Sequence, residues 1–555
     1  MERKMSICCD EPPQPTYMAP PMPPQNYGGY PTEPPPNYQQ PQAYVIQTPG
    51  GPGLQNPYII PSTLPPQAGQ ITYMATTTTT TGNIPQQPQT TTTTTKFYKV
   101  AWLSQQQRNK PQSKSLSAAV FICLSAGLKI AFSIFSSGVS ARPIHFSISW
   151  FVAAIIGSLV AAAIVNRFRK KYLVALATLL TIGGGIIQTA TADQAAIEAS
   201  MYLDGIGFGI TLVTTTILAG EIASKYNRGI LVTIPISINV GMFIQALYTE
   251  LWYLEYNAFT ALQLQGVLSI VFGVMALAST LTILESPIYF LKRNNEAEAV
   301  RHIKLLRRYV NANKEVKQTL KENKALIEDD ASRTLNENLF SGVPALLKLS
   351  LLQGVSTLTF CFPMTVIFGM SSSYGYKTYW MQSTWTPYIY VLIRFIGNVF
   401  GCIFILNRKL GITIGFAVCS VLMFIIGGLL EDPSNIVDTD IMTSIASIMI
   451  CLQFFAGIIE PLIIIYISEA FSLQVKAFYI FVVNMIGYIV QIICLAVICS
   501  NVGGILYMWD NAPIFVFITA ALQLVMALIS IFTLPETNNH SLVVCREMFS
   551  KWRWW

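Results

Sequence analysis

Three features of this 555-residue sequence predict an all-α polytopic membrane protein of 12 transmembrane helices in two six-helix bundles. Hydrophobic residues make up 52% of the chain and charged residues only 11%, against roughly 25% charged in an ordinary soluble domain. The charges gather between apolar runs, and those runs are long enough to cross a bilayer, which takes roughly 20 residues each. The third feature is a repeat. "AGEIASKYNRG" (Ala219–Gly229) and "YISEAFSLQVKA" (Tyr466–Ala477) each close an apolar run with a Glu followed seven residues later by a cation, Glu221 with Arg228 and Glu469 with Lys476. Two copies about 250 residues apart mark an internal duplication.

Residues 1–110 form the first segment, a Pro-, Gln- and Tyr-rich tail with two Thr runs, Thr76–Thr81 and Thr90–Thr95. It holds too few aliphatic clusters to offset chain entropy, so it is expected to be disordered. Its start shows no charged-then-apolar signal peptide. Within it, "PPNY" has the form of a Pro-rich ligand, which makes a WW-domain protein a candidate partner at Pro35, Pro36 and Tyr38.

Twelve apolar runs follow, near 115–141, 145–165, 172–191, 197–221, 229–252, 260–283, 343–369, 381–406, 411–430, 441–468, 476–499 and 512–534. They divide into an N-terminal bundle over 111–284 and a C-terminal bundle over 343–534, with a short tail over 535–555. Between the bundles, residues 285–342 are charged and helix-favouring, and read as a soluble helical insert.

Lys and Arg counts in the short loops set the orientation. Loops after runs two, four, eight and ten hold Arg167, Arg169, Lys170, Lys171, Lys225, Arg228, Arg408, Lys409 and Lys476. The opposite loops hold little beyond Arg142 and Lys377 and are acidic instead. Both termini and the insert are therefore expected on the cytosolic side, with the plasma membrane as the expected location.

The composition also excludes classes. A net charge of +7 on such a chain speaks to orientation at a membrane and not to nucleic acid. The 10 Cys and 3 His contain no C-x-x-C pair or ligand-spaced cluster, so no metal site, cofactor or disulfide framework is expected. No phosphate loop or nucleophile–base pair stands out, so an enzyme or an ATP-driven pump is not expected. The expected partners are the lipid bilayer and a small-molecule solute.

Each half also carries a basic turn between its second and third runs, "IVNRFRKKY" and, more weakly, "ILNRKLG". A Glu at the membrane boundary is costly unless paired, and this turn is the nearest supply of cations. Glu221 with Arg167 and Arg228, and Glu469 with Arg408 and Lys476, are the expected clusters. Pairs that hold in one arrangement and part in another make a latch.

These motifs resemble the sugar porter (facilitative glucose transporter) family of the major facilitator superfamily. "NRFRKK" resembles the family's D-R-x-G-R-[RK] turn, with Asn166 for Asp and Arg169 for Gly. "GEIASKYNRG" resembles E-x-x-P-x-x-x-R-G, with Ser224 for Pro. "LESPIYFLKRNNEAEAVRHIKLLR" resembles the P-E-S-P-R segment and its helical insert, and "LPETNNHSL" the P-E-T-K-G-x-S-L ending. The resemblance runs from about 115 to 549. It implies two bundles around a central cavity that opens to either side in turn, carrying hexoses by uniport or proton coupling.

The family's sugar-binding amides are thinned out here. The fifth run reads "TIPISINVG", with Pro235 or Ile236 near the place of the family's Gln. The seventh keeps Gln353 and has Leu358 near the place of an Asn, and the tenth has an Ile for a Trp. Asn484 and Gln491, seven apart on one face of the eleventh run, either bind solute or hydrogen-bond between helices.

Three charges are left inside the runs: Lys129, Arg394 and Glu460, just before Pro461. A charge at depth costs at least about 2.5–3.5 kcal/mol and faces a cavity or a partner. They form a structural pair, such as Lys129 with Glu460 across the halves, or they contact solute, or they snorkel to the membrane surface or belong to spans placed differently. Two cations against one carboxylate would favour an anionic or zwitterionic solute. Lys129 lies close to where proton-coupled relatives carry an Asp, which favours uniport. Three readings stay open: a hexose-type transporter, a transporter of an organic anion or other polar metabolite, and a non-transporting receptor or scaffold.

Overall fold

The computed structural model describes residues 110–136, 144–191, 193–223, 227–253, 260–307, 313–376, 385–500 and 510–551. The expected disordered tail and its Pro35, Pro36, Tyr38 motif lie outside the described residues, as do Arg142, Lys225 and Lys377.

Among the described residues, eleven stretches are helical, long and apolar enough to cross a membrane, and a shorter apolar helix at the start completes 12. The N-terminal six are Ser117–Ser136, Ile144–Ile164, Lys170–Ala190, Gln194–Ile222, Thr233–Tyr253 and Ala261–Thr280, here spans one to six. Spans eight to twelve are Thr386–Gly401, Arg408–Glu431, Thr439–Glu469, Lys476–Ser500 and Ala512–Thr533.

Span seven is broken. Helix Leu335–Thr357 gives way to a 3-10 turn, Leu358–Phe360, and then to helix Phe362–Gly375. The break is local chemistry: Cys361 is extended, and Pro363 sits in the first turn of the new helix, where its missing N–H costs nothing.

Side chains cap several starts. Asp193 opens span four, Asp438 opens span ten, and capping boxes open span six (Thr260 with Gln263) and span seven (Thr334 with Glu337).

Helices within each half approach until backbones touch, and glycine permits it. A carbon placed on Gly209 of span four would lie 2.3 Å from the carbonyl oxygen of Ala154 in span two. In the second half, one placed on Gly397 of span eight would lie 2.1 Å from that of Phe454 in span ten. Spans two and four correspond by the internal repeat to spans eight and ten. The same close packing therefore recurs in both halves, as small-residue interfaces favour in a membrane.

Across the halves, span two packs on span eleven and span five on span eight. The insert contributes Pro287–Leu291, Glu296–Arg307 and Asn313–Ala331. Ile288, Leu326 and Leu473 form a small apolar cluster that joins it to the second half, with Leu542 and Val543 of the C-terminal segment packed against it. Helix Leu542–Ser550 is tied to the insert by Arg546, which bonds the carboxylate of Asp329.

Candidate functional site

Two arrangements of polar groups stand out: a charge cluster at the insert-side ends of the spans, and a cavity between the halves.

The charge cluster departs from the expected pairing. Glu221, at the end of span four, takes its bond from Lys170 at 3.0 Å, not from Arg167. The helix of span three begins at Lys170, so its first-turn side chain turns inward. Arg167 lies exposed in the turn before it, and its carbonyl oxygen accepts from Arg293 Nη2 at 2.6 Å.

Glu285, from "LESP", adds a second carboxylate 3.8 Å from Lys170. Burial pushes the Glu285 carboxyl above the usual carboxylate range, with the Lys170 ammonium pulling the other way. Sequence reasoning quoted this residue but gave it no role, since no spacing rule links it to a turn 114 positions away.

Arg228 is the second correction. It was expected on Glu221 of its own half, but it pairs with Glu469 of the other half at 3.2 Å. Glu469 receives Arg408 as expected, Nη1 lying 2.8 and 2.7 Å from its two oxygens. Arg408 also donates to Thr537 Oγ1 at 2.7 Å, and Tyr466 to the Pro535 carbonyl at 2.7 Å, which puts the "LPET" segment to structural use.

Lys476 was expected on Glu469. It is buried instead against span four, where a carbon on Gly220 would lie 2.8 Å from its Nζ. The second cation of each repeat thus crosses to the other half. Arg228, Arg408, Glu469 and Lys476 are all at most 3% exposed.

The cavity is lined by Gln353, Arg394, Glu460, Asn484 and Gln491 from the expected set, but not by Lys129. Lys129 is fully buried inside the N-terminal half, where it donates to Gln188 Oε1. Gln188 continues to Gln265 at 2.6 Å and Gln265 to Gln245 at 3.0 Å.

Lys129 does not reach Glu460; the carboxylate that shares its buried surroundings in its own half is Asp204, without a direct ion pair between them among the described residues. Asp204 accepts from Ser125 Oγ and from Trp150 Nε1, both at 3.0 Å. Sequence reasoning missed Asp204. It was legible as an acidic residue within the run "MYLDGIGFGI", but nothing in one sequence shows that spans one and four meet there. Among the described residues, Asp204 adds a second carboxylate to Glu460 against Lys129 and Arg394, so the positive excess of the three charges read from sequence disappears.

Glu460 belongs to Arg394. Arg394 Nη2 lies 2.5 Å from Glu460 Oε1, while Nη1 donates to Gln453 Oε1 at 2.6 Å and the guanidinium rests 4.9 Å from the Phe360 ring centre. The other oxygen of Glu460 accepts from Asn398 at 3.4 Å and, across the halves, from Asn239 at 3.0 Å.

The Arg394 side chain is 2% exposed and that of Glu460 26%, so the carboxylate faces the cavity with the guanidinium behind it. Pro461 cannot donate to the carbonyl of Gly457, which loosens the helix next to this carboxylate. Gln491 donates to the Phe360 carbonyl at 2.7 Å and keeps a buried oxygen with no protein partner. Asn484 donates to its own helix at Ile480, 2.9 Å away. Gln353 lies half-buried beside Gly487.

Residues 90–549 match the sequence profile of the family described as "Sugar (and other) transporter". A probable glucose transporter of Neurospora crassa, rco-3, is 29% identical over 160 residues, 28% of this chain. That region spans about a quarter (26%) of the curated relative's length.

Among solved structures, the proton:xylose symporter XylE bound to 6-bromo-6-deoxy-D-glucose is similar with a TM-score of 0.62 at 16% identity, over 80% of this chain and 98% of that one. XylE from E. coli in a partially occluded inward-open conformation gives 0.55 at 15% identity, over 75% and 96%. These two likenesses speak for the fold. Its profile match over most of its length shows that the chain belongs to the sugar (and other) transporter family.

Proposed function

We propose that this protein carries a small polar solute, a hexose-type sugar first, across a membrane by alternating access and without proton coupling. The observation that carries the reading is the pairing of Arg228 with Glu469 between the halves, beyond one end of a cavity that both halves line. Charge pairs that join two rigid bodies at one end can hold that end shut and release it when the bodies rock. Family membership and the curated glucose-transporter relative point to sugar as the cargo. The Lys and Arg distribution supports cytosolic termini and a cytosolic insert, and solute entry from outside a cell suits the plasma membrane.

Uniport is favoured because the one carboxylate lining the cavity among the described residues, Glu460, is already matched by Arg394. Asp204 does not line the cavity and is held by Ser125 and Trp150 within the N-terminal half. The organic-anion reading loses its support with the discovery of Asp204, and a cavity-facing carboxylate repels anions. The receptor reading has no observation in its favour among the described residues.

Uptake of labelled glucose into proteoliposomes tests the proposal. The expected result is uptake that stops at equal concentration inside and outside and ignores an imposed pH gradient. Accumulation driven by that gradient would replace uniport with symport. Absence of uptake for every hexose would remove the sugar reading.

A further inference from the structure

The cavity is polar on one wall only. Among the described residues, everything that the N-terminal half presents to it is apolar, including Phe151, Phe208, Leu212, Ile234, Ile238 and Met242. The C-terminal half supplies the polar groups, including Gln353, Ser356, Thr357, Glu460, Asn484 and Gln491. Two of these offer acceptors: the exposed edge of Glu460 and the unpartnered oxygen of Gln491. Arg394 also lines the cavity, but its side chain is 2% exposed and its two terminal nitrogens bond Glu460, Gln453 and Thr359.

We propose that the cavity selects an uncharged amphipathic solute, with hydroxyl donors along one edge and an apolar body opposite. A glycoside with an apolar aglycone is the class that fits. The inference rests on the transport reading above and narrows its cargo. When the N-terminal half closes over a free hexose, hydroxyls on that side meet only Phe, Leu, Ile, Pro and Met among the described residues. Each hydroxyl buried without a partner costs on the order of tenfold in affinity. An aglycone on that side instead gains about fourfold for each methylene it buries. The Glu460 carboxylate excludes anions and accepts from the sugar edge.

The test is direct binding to the purified full-length protein in nanodiscs, with D-glucose, phenyl β-D-glucopyranoside and benzoate as probes. The expected result is phenyl glucoside bound at least about tenfold more tightly than glucose, with benzoate not bound. Met242→Gln and Leu212→Gln, each placing an amide on the apolar wall, are expected to narrow or reverse that ratio. Equal or tighter binding of glucose by the unaltered protein overturns the inference and leaves sugar transport standing. Binding of benzoate alone, or of none of the three, overturns both.

Discussion

At the scale of single residues, Glu469 decides most. It sits between Arg408 of its own half and Arg228 of the other, and all three are buried. Removing one partner of a buried pair leaves an uncompensated charge and costs about 3–5 kcal/mol. Glu469→Gln strands two guanidiniums and is expected to lower the melting temperature more than either Arg408→Ala or Arg228→Ala alone. The two arginines should differ. Arg408→Ala breaks a tie within one half and should mainly destabilise. Arg228→Ala breaks a tie between halves and should mainly speed hydrogen exchange at the insert-side ends of spans four and ten. Equal behaviour of the two would contradict a gating role for Arg228.

Glu285 gives a pH test. Burial raises its folded pKa above the ordinary value of 4.5, so the folded protein binds this proton more tightly than the unfolded chain. Stability contributed at this position therefore falls as pH rises through the window between the two values. The melting temperature of the unaltered protein minus that of Glu285→Gln is expected to grow as pH is lowered toward the ordinary value of 4.5. A flat or shrinking difference would contradict the assignment.

At the scale of elements, the close crossing of spans eight and ten positions the Arg394–Glu460 pair. A carbon on Gly457 would lie 2.3 Å from the Arg394 carbonyl oxygen. Gly457→Val should therefore force the spans apart, cost about 1–3 kcal/mol through overpacking, and weaken solute binding. Unchanged binding would show that the pair does not depend on this crossing.

The spans themselves were readable because an apolar run of 20 residues has few alternatives. The break in span seven was signalled by Pro363 in "TFCFP", but apolar length alone reads through it. Partner choice in the charge cluster was not readable. Lys170 and Arg167 are three residues apart in one basic turn, and only the point where the helix begins decides which faces Glu221. Glu460, Gln491 and Gln353 could be placed near the cavity because amides and charges inside spans are costly and therefore few. Asp204 went unseen because its partners, Ser125 and Trp150, are on other spans.

At the scale of the molecule, two halves alike in packing differ in the face each turns to the cavity, one apolar and one polar. They meet on the insert side through Arg228, Glu469 and Lys476, with the insert and the C-terminal helix joined beneath by Arg546 and Asp329. An alternating-access protein needs a second arrangement in which the insert-side charges part. The most direct measurement is the distance between spin labels at the insert-side ends of spans four and ten, read by pulsed electron resonance in nanodiscs. The expected result is two distance populations, with the longer one enriched by Arg228→Ala and the balance shifted by bound solute. A single short distance, unmoved by the substitution and by every solute, would contradict alternating access in this protein.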